Sequence, residues 1–179
     1  MIFNDEIFTI EAISTKDSWR LCDFIVTNSD RLKRYFTKTL QQNLNPALSE
    51  IFVELKVKQF INKNEFLFTL KEKSNKRIIG LCYVKEINWD LNIAELAYCI
   101  DYQFEGKGIT TKTIQYISKY CNEELDLRTL RIIAHKTNLG SIKVAEKSNF
   151  KWIKTLSNEH TPPNEAPLDM ELYELYYER

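Results

Sequence analysis

The stretch that decides this fold runs from residue 93 to residue 121 and reads IAELAYCI, then DYQFEGKG, then ITTKTIQYISKYC. Its first part, Ile93–Ile100, is apolar and predicts a strand, and its last part, Ile109–Cys121, predicts a helix because apolar residues recur at intervals of three and four. The turn between them holds Gly106 and Gly108, two of the four glycines in the chain. Glycines allow positive φ, and unpaired amides at the start of a helix favour an anion, so this turn predicts a phosphate site.

The turn does not match the two most familiar phosphate-binding motifs. A Walker A loop has four residues between its glycines, whereas only Lys107 separates Gly106 from Gly108. A Rossmann fingerprint has a glycine or alanine where this chain has Thr111, and an acidic residue about 20 positions later, where this chain has Thr129–Ile132. The sequence therefore disfavours a P-loop NTPase and a dinucleotide-binding protein.

The turn resembles instead the pyrophosphate-binding signature of the GNAT acetyltransferase superfamily, Gln/Arg-x-x-Gly-x-Gly/Ala, with Gln103, Gly106 and Gly108 at the fixed positions. Two flanking segments resemble the RimJ/RimL-type branch, which acetylates protein N-termini, including those of ribosomal proteins. Residues 94–98 are similar to the Ala-Glu-hydrophobic-Gly-Tyr strand of that branch. Residues 138–150 are similar to its Asn-x-x-Ser-x-x-x-x-Glu-Lys-x-Gly-Phe segment, so the resemblance spans nearly the whole chain.

The predicted elements form a mixed α/β order, in which an antiparallel meander precedes a crossover helix and further strands. Helices are predicted to begin near residues 15, 46, 109 and 141, and strands are predicted at 7–13, 65–70, 77–84, 93–101, 130–135, 150–156 and 169–177. The resemblance implies the GNAT fold, an α/β (α+β) architecture. Its mixed central sheet of about seven strands is mostly antiparallel, splayed in the middle and flanked by about four helices. We expect a single N-acetyltransferase domain over residues 1–179.

The resemblance implies acetyl-CoA as the co-substrate, with no metal ion. The amides of Phe104–Thr110 are expected to hold the pyrophosphate, with the side chains of Gln103 and Lys107 at its edge. An ordinary strand-to-helix turn is the alternative. The predicted coenzyme contacts comprise the end of the strand, the turn, the start of the helix and two later residues: Tyr98, Cys99, Ile100, Gln103, Phe104, Glu105, Gly106, Lys107, Gly108, Ile109, Thr110, Asn138 and Ser141.

The predicted catalytic residues are Glu95 and Ser141. Glu95 interrupts an apolar strand near the expected acetyl group, which suits a general base, directly or through a water; a carboxylate at the solvated edge of a strand is the alternative. The resemblance puts Ser141 near the sulfur of the coenzyme and Asn138 near the pantetheine, and Asn138 is equally a candidate N-cap. Many family members have a tyrosine as the thiolate's acid where this chain has Ala145, so Ser141, or a water that it holds, is the substitute.

Several other residues have two interpretations. Tyr98 either belongs to the core or lines the cleft. Asn149 replaces a family glycine, and asparagine tolerates a left-handed φ, so the turn can survive. His135 is interpreted as a structural histidine. Glu159 and His160 are interpreted as an exposed loop pair, with a role in proton transfer as the alternative.

The composition restricts the function classes. Lysine and arginine together number 25, as do aspartate and glutamate, so the chain lacks the positive surplus that nonspecific nucleic-acid binding needs. Four scattered cysteines are predicted to be reduced core residues of a cytosolic protein, and two histidines without a close cysteine disfavour a structural zinc site. An acidic N-terminal segment and the lack of any apolar run approaching about 18 residues predict a soluble, cytoplasmic protein without a membrane partner.

The sequence therefore predicts an acetyl-CoA-dependent N-acetyltransferase whose favoured acceptor is a protein N-terminal amine, of the ribosomal-protein type. A small amine, such as a polyamine or an antibiotic, is one alternative. A polyamine would require an acidic cleft, and the variable segments offer only Glu6, Glu11, Glu50, Glu54 and Glu159. Because Ala145 replaces the usual tyrosine, a noncatalytic acyl-CoA-binding module is the second alternative. Nothing decides the oligomeric state, and a homodimer stays open.

Overall fold

The predicted alternation of strands and helices is present in the computed structural model, which describes residues 2–178. The strands are β1 (Phe3–Asn4), β2 (Phe8–Ala12), β3 (Phe66–Glu72), β4 (Ile78–Asn88), β5 (Ile93–Ile100), β6 (Thr129–Ala134), β7 (Lys151–His160) and β8 (Leu168–Tyr176). The helices are α1 (Ser18–Thr27), α2 (Ser29–Leu32), α3 (Thr37–Gln41), α4 (Pro46–Ile61), α5 (Ile109–Leu125) and α6 (Leu139–Lys147). The predicted fold class is confirmed. The elements beyond the predicted set are β1, α2 and α3, which have two, four and five residues and are too short to show a hydrophobic period.

The strands form one eight-stranded sheet in the order β1-β2-β3-β4-β5-β6-β8-β7. The sheet is mostly antiparallel, and β5 and β6 are its parallel pair. The registered parallel pairs join Ile93–Glu95 to Thr129–Arg131. β6 then runs antiparallel to β8, with Arg131 opposite Glu174. This arrangement puts Glu95 on an inner strand of the sheet.

The chain divides into two compact units, and it passes from one unit to the other within β4 and again within β5. The first comprises Met1–Tyr83 and Tyr98–Lys107, and the second comprises Val84–Ala97 and Gly108–Arg179. The single domain over residues 1–179 stays a prediction, and its end residues, Met1 and Arg179, lie outside the described part of the chain.

In the first unit, α4 begins where its sequence predicts, because Asn45 caps it and Pro46 occupies its first turn. The Asn45 side chain accepts a hydrogen bond from the amide of Leu48 at 3.0 Å. The helix buries Phe52 and Val53, and α4 packs on α1 and β3. This packing forms the core of the first unit.

In the second unit, α5 buries the face that its spacing predicts, since Ile114, Ile117 and Cys121 are fully buried. Strand β6 alternates between buried residues, such as Leu130 and Ile132, and half-buried ones. A half-buried face of the sheet therefore carries the intervening side chains. Within residues 2–178, no helix is long and apolar enough to span a membrane, and no three potential metal ligands cluster.

Candidate active site

The glycine turn has the backbone conformation that its sequence predicts. Gly106 has a φ of 72° and Gly108 a φ of 75°, both in the left-handed region that favours glycine. Helix α5 begins directly after Gly108, and the amide of Lys112 donates to the carbonyl of Gly108 at 3.0 Å. The amides of Ile109–Thr111 therefore precede the intrahelical hydrogen bonds, at the positive end of a helix of 17 residues.

The two glycines also leave space beside the backbone. A Cβ placed on Gly106 or Gly108 would meet no atom within 4 Å. The start of α5 also has no capping side chain, because the residue in its N-cap position is Gly108 itself. A turn with open backbone and a helix N-terminus fits the diphosphate of a nucleotide such as coenzyme A.

A buried asparagine that the sequence analysis did not single out supports the start of this turn. Asn28, at the end of α1, is only 2% exposed. Its Nδ2 atom donates to the carbonyl of Phe24 at 2.9 Å and to the Asp101 carboxylate at 3.4 Å, and its Oδ1 atom accepts from the amide of Tyr102 at 3.4 Å. Asp101 in turn accepts from the amide of Gln103 at 2.8 Å. Helix α1 thereby fixes the segment that leads into the turn.

Basic side chains surround the same turn. Arg31 of α2 forms an ion pair with Glu105. Arg77 donates to the Gln103 side chain at 3.2 Å, and its guanidinium lies 5.3 Å from the centre of the Phe104 ring. The ammonium group of Lys107 lies 4.8 Å from the centre of that ring. These positive charges suit an anionic ligand, and no local pattern marks Arg31 or Arg77, because each lies more than 20 residues from the turn.

The last residues of β5, which were predicted to contact the coenzyme, are half-buried. Burial raises the pKa of the Cys99 thiol to about 12, so the thiol is protonated near neutral pH. The carbonyl of Cys99 lies close to Gly80 of β4, where an added Cβ would come within 2.8 Å of that oxygen. Gly80 is therefore a packing glycine that permits close approach of the two strands.

Glu95 lies on β5 in the second unit, and its side chain is 17% exposed. Its carboxylate forms an ion pair with Lys85 of β4, at 2.9 Å between Nζ and Oε1. A mostly buried carboxylate on an inner strand differs from the solvated edge position that was the alternative. The ion pair with Lys85 was not predicted, since it joins residues of two adjacent strands through their register.

Asn138 caps α6, as predicted, because its Oδ1 atom accepts from the amide of Ser141 at 3.2 Å. Ser141 lies half-buried in the first turn of that helix. Ala145, in the position of the family tyrosine, is fully buried. Asn149, at the position of the family glycine, has a φ of 65°. This value confirms the left-handed conformation that was predicted for it.

The two histidines differ in their surroundings. His135 is 9% exposed, and its Nδ1 atom accepts from the amide of Thr137 at 3.3 Å and lies 2.7 Å from the Thr137 hydroxyl. These contacts confirm the interpretation of His135 as a structural histidine. Glu159 and His160 form the end of β7, so the prediction of a loop there was wrong. The strand extends past its apolar part because Asn158, with a φ of 54°, lies at an irregularity within the β7–β8 ladder.

In the structure the predicted residues therefore lie in three separate groups. Gln103 and Phe104 meet Arg77 in the first unit. Asn138 and Ser141 meet at the start of α6 in the second unit. Glu95 meets Lys85 on the sheet of that unit.

A comparison with protein families matches residues 8–151 to the acetyltransferase (GNAT) domain. The matched segment contains the glycine turn, Glu95 and the start of α6. It therefore covers all the residues predicted for catalysis and coenzyme binding.

Individual relatives agree with this match. The chain is 29% identical over 153 residues to the Bacillus subtilis protein YdaF, a candidate ribosomal N-acetyltransferase by its name, with 82% of this chain and 79% of YdaF covered. The fold of this chain is similar to that of RimL, a ribosomal L7/L12 alpha-N-protein acetyltransferase solved with coenzyme A. The TM-score is 0.89 and the identity 16%, with 98% of this chain and 97% of RimL covered. The fold is also similar to that of a spermidine N-acetyltransferase chimera from Vibrio cholerae and hSSAT. The TM-score is 0.76 and the identity 20%, with 94% of this chain and 95% of the chimera covered.

Proposed function

This chain belongs to the GNAT family of N-acetyltransferases, and we propose that it transfers the acetyl group of acetyl-CoA to the N-terminal amine of a protein. The observation that carries the acetyl-CoA part is the glycine turn, with Gly106 and Gly108 at positive φ directly before α5. The similarity to YdaF and the fold shared with RimL support the protein acceptor.

The turn and its neighbours form the proposed binding site for the coenzyme diphosphate. The amides of Phe104–Thr110 donate to the phosphate oxygens, because the helix N-terminus and the open backbone favour an anion there. The side chains of Gln103 and Lys107 lie at the edge of this site. The resemblance assigns further coenzyme contacts in each unit: Tyr98–Ile100 in the first, and Asn138 and Ser141 in the second.

Two side chains supply the proposed proton chemistry. Acetyl-CoA provides the thioester, so the new C–N bond forms as the C–S bond breaks. Glu95 accepts the proton that the acceptor nitrogen loses, directly or through a water molecule. Ser141, or a water that it holds, gives the leaving sulfur its proton, which balances the reaction. The buried Ala145 cannot fill this role, because its side chain carries no proton to donate.

A small amine is the second candidate acceptor, and the fold shared with a spermidine acetyltransferase chimera favours it. A polyamine needs several carboxylates. Of the five acidic residues in the variable segments, Glu11 is already paired with Lys71 at 2.9 Å. Glu50 and Glu54 are exposed on α4. The protein N-terminus is preferred on the similarity to YdaF.

The test measures free thiol release from acetyl-CoA with a panel of N-terminal peptides of ribosomal proteins and with spermidine. We expect turnover with at least one peptide. In the Glu95→Gln variant we expect kcat to fall by about 10²-fold or more, as for loss of a general base. Glu86→Gln is the matched control, because Glu86 is an exposed carboxylate on β4, and its turnover should equal that of the wild type.

Three results separate the alternatives. Turnover with spermidine alone would replace the protein acceptor with a small amine. Acetyl-CoA binding by calorimetry without thiol release on any acceptor would favour a noncatalytic acyl-CoA-binding module. Full activity of Glu95→Gln would remove Glu95 from the mechanism while keeping the transfer reaction.

A further inference from the structure

Four strands of the second unit carry charged side chains of alternating sign, which we call the charged row: Lys85 on β4, Glu95 on β5, Arg131 on β6 and Glu174 on β8. Lys85 lies 2.9 Å from Glu95, and the Nε atom of Arg131 lies 2.7 Å from the Oε1 atom of Glu174. At its far end the hydroxyl of Tyr176 donates to Glu174. The row therefore crosses consecutive strands of the sheet.

The register of the strands puts these side chains on one face. Glu95 is paired with Arg131 in the parallel ladder, and Arg131 is paired with Glu174 in the antiparallel one. Paired residues of neighbouring strands point to the same side of a sheet. The residues beside Arg131 in the sequence, Leu130 and Ile132, are buried on the opposite face. The charged row thus lies on one face of the sheet, where Lys85, Glu95 and Arg131 are partly exposed and Glu174 is buried.

The two cations that flank Glu95 have different partners. The guanidinium of Arg131 is directed to Glu174, whose side chain is 7% exposed. The ammonium of Lys85 is directed to Glu95. The side chain of Lys85 is 32% exposed, against 17% for that of Glu95.

We propose that Lys85 is a positioning residue that holds the Glu95 carboxylate in place for the acceptor amine. This inference rests on the proposed role of Glu95 as the general base. An N-terminal amine is largely a cation near neutral pH, so it presents to a carboxylate the same chemistry as the lysine ammonium. The ammonium of Lys85 lies 2.9 Å from Oε1 and so fixes the orientation of the carboxylate that the acceptor amine meets.

Without the Lys85 ammonium, the Glu95 carboxylate loses the contact that fixes its orientation. A misplaced base slows the proton transfer without changing how tightly the coenzyme binds.

The test compares kcat and the KM for acetyl-CoA in the wild type, Lys85→Met and Lys85→Arg. We expect the kcat of Lys85→Met to fall about tenfold at an unchanged KM for acetyl-CoA, because the base is misplaced while the coenzyme site is intact. Lys85→Arg keeps the cation and should retain most of the wild-type kcat. Lys85→Gln is a second neutral variant and should repeat the loss of kcat if Lys85→Met folds poorly.

Lys56→Met is the matched structural control. Lys56 forms an ion pair with Glu65 at 2.5 Å in the first unit, with side-chain exposures of 13% and 18%, so its loss removes a comparable pair outside the charged row. We expect a lower thermal midpoint for this variant and an unchanged kcat. A wild-type kcat in both neutral variants of Lys85, together with an inactive Glu95→Gln, would overturn the positioning role and leave the base intact. An active Glu95→Gln would instead overturn the base itself and this inference with it.

Discussion

The glycine turn and the charged row depend on different parts of the chain. The turn uses backbone conformation within residues 101–109, so its essential groups are amides and two glycines that lie close in the sequence. The charged row uses side chains from four strands, brought together by register over nearly 90 residues. The turn therefore depends mainly on residues near it in the sequence, with Asn28 as a distant support, whereas each charge of the row depends on a partner from another strand.

The largest effect is expected in the row, from Arg131→Met. This change leaves Glu174, which is 5% exposed, without the guanidinium at 2.7 Å and with the Tyr176 hydroxyl as its neutral donor, and a buried carboxylate that loses its cation is unfavourable. We expect a loss of about 2 kcal/mol in the free energy of unfolding by urea. The control is Arg128→Met, which breaks a pair at 3.0 Å with Asp126, a side chain that is 70% exposed. Equal losses in both variants would show that burial does not distinguish the two pairs.

In the turn, Gly108→Val should act on ligand binding. Valine at a φ of 75° costs roughly 1–2 kcal/mol, so the turn rearranges and the Kd for acetyl-CoA rises about tenfold by calorimetry. Lys63→Val is the control, because Lys63 also has a positive φ, of 57°, and lies just after α4, outside the turn. Wild-type affinity in Gly108→Val would contradict the backbone site.

Asn28→Ala tests whether the turn depends on its support from α1. Loss of the buried hydrogen bonds should cost about 1 kcal/mol and weaken acetyl-CoA binding about threefold. Asn43→Ala is the matched control, since Asn43 is also fully buried and donates to a carbonyl four residues earlier, that of Thr39, at 2.8 Å. We expect a similar loss of stability there with an unchanged Kd. If both variants weaken binding equally, the effect reflects stability alone.

The smallest effect concerns Glu11, whose ion pair with Lys71 in the first unit belongs to neither region. Burial raises the pKa of Glu11, but hydrogen bonds from Lys71 and Thr9 and the Lys71 charge outweigh it, so the net pKa lies below its ordinary value of 4.5. A carboxyl with a lowered folded pKa stabilises the fold above pH 4.5 and loses that contribution as pH falls through the folded pKa.

Urea unfolding of the wild type and Glu11→Gln at pH 6 and pH 3 measures this contribution. The variant should be less stable by under about 1 kcal/mol at pH 6, and the difference should diminish at pH 3. A difference that grows toward pH 3 would reverse the sign of the linkage. It would also show that an ion pair outside the charged row does not stabilise the fold in the way that the pairs of the row do.

Much of the fold could be predicted from local patterns. The apolar strand Ile93–Ile100, the spacing of Ile114, Ile117 and Cys121, and the cap at Asn138 each predicted an element that the structure contains. The short elements α2 and α3 could not be predicted, because four or five residues do not complete enough turns to show a period. The residues that support the turn, Asn28 and Arg77, were missed because their partners lie far away in the sequence.

The sequence by itself determined the glycine turn, the strand before it and the helix after it, because backbone preferences and hydrophobic periods are local properties. It also placed Glu95 on an apolar strand. Only the tertiary structure decided that Glu95 lies opposite Lys85 and that Arg131 is directed to Glu174. Strand order and register determine those neighbours, and they follow from how the whole sheet assembles rather than from any one segment.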